Sequence, residues 1–233
     1  MSECEVLVLS LFDDEAVRDV LSQLNAFDLS GRLIVETSTV TPDVIKELAP
    51  KLQAKGAEVI DAPISGGPEM VTAKKAGIFV GGTFEAFGRS EPVLNQIAGS
   101  VSHVGSLGSG IGTKIVINMI LQGYWAILVD SVKVARRLGL PLEQTMNLLK
   151  SGPASTGLFA GRVPRILGED TSVGFRIAGA AKDADVFMQT AKSLGLDTPA
   201  LEVAQAIFRD AVAQGHEDRD LAAIISDAYA GAE

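Results

Sequence analysis

The chain has 233 residues, 47% of them hydrophobic, which is enough for one large domain or two smaller ones, each with a core. Its formal net charge is −9, and its twenty Lys and Arg residues are scattered rather than clustered, so nucleic acid is not an expected partner. A single cysteine, Cys4, excludes an internal disulfide and leaves too few thiolates for a structural zinc site.

The chain opens on Met-Ser and runs straight into Glu5 to Leu11, EVLVLSL, a short apolar run expected to be a strand buried on both faces. No basic leader precedes it, and a cytoplasmic location is expected, with an organelle matrix also compatible. A helix from Asp14 to Leu24 follows. Arg32 to Glu36 is a second strand, with Thr37-Ser38-Thr39 at its carboxyl end. Thr41-Pro42-Asp43 then starts a helix that ends near Lys55-Gly56. Ala57 to Ile64 is read as a third strand, closed by Ser65-Gly66-Gly67. Gly77 to Gly82 and Val101 to Val104 are two more, around a helix from Glu85 to Ala98. Strands alternating with helices predict βαβ units and a mostly parallel sheet over residues 1–107.

From Gly108 to Gly139 the pattern becomes one long helix entered through a glycine-rich turn. Apolar residues fall on almost every side of it, so it is expected to be buried all round. Asn118 and Gln122 interrupt the run, which argues against a membrane span. Its polar residues Lys114, Asn118 and Gln122 are spaced by four and share one face. Lys114 alone fits two readings, a stem snorkelling from the first turn or an ammonium facing a polar cleft between two domains. Beyond Gly139 only helical patterns remain, over Leu142 to Lys150, Gly157 to Leu167, Phe175 to Leu194, Pro199 to Gln214 and Asp218 to Tyr229, with Thr198 and Asp218 as N-caps. The expected architecture is therefore an α/β part with a mostly parallel sheet at 1–107, followed by the long helix 112–139 as the start of an all-α domain spanning 108–233.

In a doubly wound sheet, ligands bind outside the carboxyl ends of the strands. Those ends carry Leu11-Phe12-Asp13, Thr37-Ser38-Thr39 and Ser65-Gly66-Gly67. Ser65-Gly66-Gly67 offers consecutive N–H groups and a hydroxyl with no bulky side chain, which suits a carboxylate, and is equally the composition of a plain turn. His103 is read as part of the turn into the long helix and His216 as a solvated loop residue; neither has a second ligand at metal spacing.

Four segments in order, DAPISGG, AGIFVGG, HVGSLGSGIGTKIVIN and GFRIAGAAKDAD, resemble the 3-hydroxyisobutyrate dehydrogenase group of the β-hydroxyacid dehydrogenases. The resemblance implies a substrate site at Ser65, Gly66, Gly67 and Asn118 and a catalytic lysine at Lys114. It also implies cofactor contacts at Leu11, Phe12, Thr39, Phe175 and Lys182. NAD or NADP is the implied cofactor, a small 3-hydroxy acid or semialdehyde the substrate, and a homodimer or higher homo-oligomer the assembly. Two positions depart from the family pattern: Phe12 stands where proline is usual, and Ile117 where many members have a second asparagine. The family's G-x-G-x-x-G turn has no counterpart, since Gly105 to Gly112 follows the wrong strand. By resemblance, Met1 aligns just before the family's fourth strand, which implies an incomplete Rossmann-like part at 1–107, joined by the interdomain helix 112–139 to the all-α domain, and leaves Glu5 to Leu11 as an exposed apolar edge. The alternative function is a non-catalytic homologue acting as a dimeric interaction protein.

Overall fold

A computed structural model describes residues 4–232; the opening Met-Ser lies outside them. By internal contacts the chain forms two compact units. The first runs to Asn118 and includes Val186–Asp197. The second comprises Met119–Asp185 and the residues from Thr198 onward. The division falls inside the long helix.

The first unit contains β1 (Val6–Leu9), α1 (Asp14–Leu24), β2 (Leu33–Glu36), α2 (Pro42–Gln53), β3 (Glu58–Asp61), β4 (Ile64–Ser65), α3 (Pro68–Thr72), β5 (Gly77–Gly81), α4 (Phe84–Ile97) and β6 (Ser100–Gly105). The strand order is β1-β2-β3-β5-β4, with β6 also paired to β5. β1, β2 and β3 are parallel, with Leu9 beside Glu36 and Glu36 beside Asp61. β5 is parallel to β6 and antiparallel to β3 and β4. The third predicted strand is thus two: the ladder breaks at Ala62-Pro63, and Ile64-Ser65 pairs further back along β5, opposite Ile78 and Gly77, while Asp61 pairs with Gly81. A proline cannot donate to a sheet ladder, which is why the strand breaks there. All four residues of β2 are buried, as in a strand covered on both faces. Leu33, Val35 and Ile60 share a core with Phe87 and Leu94 of α4. β1 pairs with β2 alone among the described residues, so it is a sheet edge, and Val8 on it is exposed.

α5 (Ser109–Arg137) is about 44 Å long by the rise of an α-helix. It stops at Gly139, whose φ of +75° is the left-handed conformation of a helix terminus. The expectation of all-round burial is corrected here. Ile111, Ile115, Trp125, Leu128, Val129 and Val132 are buried, whereas Val116, Ile120, Ile127, Val134 and Leu138 are exposed, Ile120 by 71%. At about 100° per residue these five exposed residues fall within about 40° of one another, a single stripe along the helix. The amides do not shorten the apolar run as expected either: α5 is long and apolar enough to cross a membrane by length and composition, and 39% of that window is buried within the fold.

In the second unit, α6 (Leu142–Ser151), α7 (Gly157–Ile166), α8 (Ile177–Ser193), α9 (Pro199–Ala213) and α10 (Ala223–Ala230) follow. Trp125, Val129 and Val132 of α5 pack there with Met146, Phe159, Val163, Ile177, Phe208 and Ile225. Asp218 does not cap the last helix, whose N-cap position is Ala222 with no side-chain bond; Asp220 Oδ1 accepts the Ala222 N–H at 2.9 Å in the turn before it. His103 is not in the turn before α5 but on β6, where Nε2 donates to the Gly82 carbonyl at 2.8 Å and the ring packs on Phe84 and Phe87. His216 lies in the loop after α9, half-buried, with Nδ1 3.6 Å from Asp227 Oδ2.

Candidate active site

The carboxyl ends of β1 and β2 are stitched together by side chains. The Leu11 N–H donates to Ser38 Oγ at 2.7 Å, and Thr37 Oγ1 donates to the Leu9 carbonyl at 2.6 Å. Asp14 receives both the backbone N–H and the hydroxyl of Thr41. These bonds hold Leu11 and Phe12 on a fixed loop, with the Phe12 ring 60% exposed and Thr39 half-buried nearby in sequence. An exposed ring on a tethered loop, at the ends of parallel strands, offers a flat apolar surface suited to the nicotinamide end of a dinucleotide. Gly105 to Gly112 forms the passage from β6 into α5 and offers no dinucleotide turn after a first strand.

At the end of β3 the chain passes through Ala62-Pro63 into Ile64-Ser65, then Gly66 and Gly67. Gly66 has φ +135°, a conformation that L side chains rarely adopt, and a Cβ there would press on Met70 and Ala76 at 3.1–3.2 Å. Gly67 is the N-cap of α3, a helix unrecognised in the sequence because it is only five residues long. Half-buried Lys114, on α5, donates from Nζ to the Ile64 carbonyl at 2.8 Å. The ammonium is thereby fixed against the residue preceding Ser65-Gly66-Gly67. Asn118 follows one turn later, also half-buried. Gln122 leaves this row: it is buried in the second unit, where Nε2 donates to the Ala180 carbonyl at 3.2 Å.

Phe175 and Lys182 belong to the second unit. The Phe175 ring lies against Gly179, where a Cβ would come within 2.8 Å of it, and Lys182 Nζ is 2.7 Å from Asp183 Oδ1. Sequence reasoning missed the carboxylates that build these surroundings. Glu36 and Asp61 end adjacent strands in register and are both fully buried. The Ser38 N–H donates to Glu36 Oε1 at 2.6 Å, and Oε2 has no hydrogen-bond partner among the described residues. Burial pushes the Glu36 carboxyl up to about 6 against the opposing Ser38 bonds, with the Asp61 charge adding to the rise. Asp61 is likewise raised, by burial, against the backbone N–H groups it accepts.

A raised folded-state pKa means the native chain binds the proton more tightly than the unfolded chain does. The associated stability is present at low pH and is lost as pH rises from the ordinary carboxylate range through about 6. Glu36→Gln is therefore expected to remove about 2 kcal/mol of this fall between pH 4.5 and 7.5. Urea unfolding across that range checks it; stability curves for the two proteins that stay parallel contradict it.

A mostly parallel sheet with hydroxyl and glycine loops at its strand ends, followed by a lysine-bearing long helix and an all-α region, is the architecture expected of the family that the sequence resembles. Residues 108–227 match the family model described as NAD-binding of NADP-dependent 3-hydroxyisobutyrate dehydrogenase, and residues 1–105 the one described as the NAD binding domain of 6-phosphogluconate dehydrogenase. The chain belongs to the β-hydroxyacid dehydrogenase family, whose members use NAD or NADP. It is 30% identical to 2-(hydroxymethyl)glutarate dehydrogenase of Eubacterium barkeri, over 84% of this chain and 65% of that protein. It is 27% identical to L-threonate dehydrogenase of Cupriavidus necator, over 96% of this chain and 77% of that one. The solved structure of Mycobacterium tuberculosis 3-hydroxyisobutyrate dehydrogenase with L-serine superposes with a TM-score of 0.86 at 25% identity, covering 97% of this chain and 79% of that one. The chain thus spans as little as 65% of the length of the relatives it matches.

Proposed function

We propose that this chain carries the substrate site and proton-transfer lysine of an NAD(P)-dependent oxidoreductase acting on small 3-hydroxy acids and their semialdehydes. The observation that carries the reading is the bond from Lys114 Nζ to the Ile64 carbonyl, which holds an ammonium beside a glycine loop suited to a carboxylate. The relatives named for 2-(hydroxymethyl)glutarate, L-threonate and 3-hydroxyisobutyrate support a hydroxy-acid substrate, and L-serine itself has a 3-hydroxy acid skeleton.

Bound NAD(P) supplies the hydride acceptor or donor. In the oxidation direction the neutral Lys114 amine takes the substrate hydroxyl proton as the C–H hydride departs; in reduction its ammonium returns a proton to the carbonyl oxygen. Ser65, Gly66 and Gly67 hold the substrate carboxylate through backbone N–H groups and the Ser65 hydroxyl, and Asn118 orients the substrate from the next turn of α5. Leu11, Phe12 and Thr39 border the cofactor from the strand ends of the first unit; for Phe175 and Lys182 the support is the family resemblance of the GFRIAGAAKDAD segment. Turnover of 3-hydroxy acids, compared with 2-hydroxy acids of equal size, tests the substrate class. Equal or greater rates on the 2-hydroxy acids contradict it.

The same reading includes a homodimer or larger homo-oligomer. Its support is the exposed stripe Val116, Ile120, Ile127, Val134 and Leu138, an apolar face that a second copy would cover. Light scattering is expected to give at least twice the chain mass, and Ile127→Glu to reduce it to the monomer. A monomeric parent chain contradicts the assembly.

A further inference from the structure

We propose that Asp61 is the positioning residue for Lys114, fixing both the location and the rotation of the start of α5. The inference rests on the proton-transfer role of Lys114. Asp61 is fully buried at the end of β3. Its Oδ1 accepts the Gly108 N–H at 2.6 Å and its Oδ2 the Ile111 N–H at 2.7 Å. The first N–H groups of a helix have no partner within the helix, so a carboxylate gripping two of them satisfies otherwise orphaned donors. It also places negative charge at the positive end of the helix dipole.

The grip is one of two parallel ties between the same pair of segments. Asp61 holds Ile111; three residues further along each segment, Ile64 accepts from Lys114. Residues three apart share a helix face, so a rotation of α5 that broke the first tie would carry Lys114 away from the second. The carboxylate has little other room. Gly81, its register partner on β5, would place a Cβ 2.3 Å from Oδ1, and a Cβ on Gly110 would lie 2.9 Å from Oδ2. The site therefore requires glycine around it and two acceptor oxygens within it. Asparagine keeps the shape but turns an NH2 donor against one of the two helix N–H groups.

The test compares the parent chain with Asp61→Asn, each labelled by reductive ¹³C-methylation, with Lys114→Arg used to assign the Lys114 signal. The expected result is a displaced Lys114 resonance with an altered pH titration, the other lysine signals unchanged, and a kcat lower on the order of 100-fold with a smaller change in KM. A Lys114 resonance and titration identical to those of the parent overturn the proposal. Should Asp61→Asn not fold, amide exchange in the parent chain decides: Gly108 and Ile111 are expected to be protected, and exchange of either at the rate of an open loop overturns the clamp. The two ideas fail separately, because full turnover by a lysine-less variant removes the role of Lys114, whereas the resonance and exchange measurements judge Asp61 without reference to activity.

Discussion

Lys114→Met is expected to lower kcat on 3-hydroxy acids by about 10² to 10⁴-fold, the range contributed by a positioned proton-transfer group. Methionine keeps much of the apolar stem of this half-buried residue and removes both the transferable proton and the donor to the Ile64 carbonyl at 2.8 Å. Folding is expected to persist, since Ile111 and Ile115 on the same helix remain buried in the first unit. Cofactor affinity is expected to change much less than kcat, because the residues assigned to the cofactor lie elsewhere. Steady-state rates together with cofactor titration separate the two effects. A variant with parental kcat would remove Lys114 from the chemistry, and one with lost cofactor binding would assign it a different role.

Asp220→Ala is expected to cost about 3–5 kcal/mol of stability, the loss typical of breaking a buried ion pair. Asp220 is 9% exposed and Arg162 8%, and Arg162 Nη1 donates to both carboxylate oxygens at 2.8 and 2.9 Å. The same carboxylate accepts the N–H groups of Gly174, Phe175 and Ala222 at 2.8, 3.0 and 2.9 Å. Alanine would leave a buried guanidinium without its counterion and free the loop that carries Phe175 into the helical unit. Burial raises the Asp220 carboxyl, but the Ala222 and Phe175 amides and the Arg162 charge outweigh it and hold the group below its ordinary value. A lowered folded-state pKa contributes stability above the unfolded value, and that contribution is lost as pH falls through the folded one. The variant should therefore be most deficient near neutrality and approach the parent in acid. Urea unfolding at several pH values measures this, and a loss under about 1 kcal/mol at pH 7 contradicts it.

Much of this arrangement was legible in the residues. Short Val- and Ile-rich runs between amphipathic helices specify the sheet, and the glycine-rich entry to a long apolar helix places Lys114 near its start. What periodicity does not contain is which side of an apolar helix its own chain covers. Ile120 and Ile115 are equally apolar, yet one is 71% and the other 4% exposed. The break between β3 and β4 was signalled by Pro63, but the apolar run on either side masked it. Asp61 and Asp220 were hidden for another reason. A single aspartate at a strand end or in a loop has no spacing pattern, and its partners include backbone N–H groups as far as fifty residues away. The sequence clue to Asp61 was a carboxylate placed directly after the apolar pair Val59-Ile60 at the carboxyl end of a strand.

The central claim is that this chain serves nicotinamide-dependent hydroxy-acid chemistry, and its most direct test is titration of the purified chain with NADH and NADPH, followed by cofactor fluorescence. Saturable binding of at least one of them in the micromolar range, on the order of −8 kcal/mol, is predicted. Absence of binding to either by a cooperatively folded protein would contradict it.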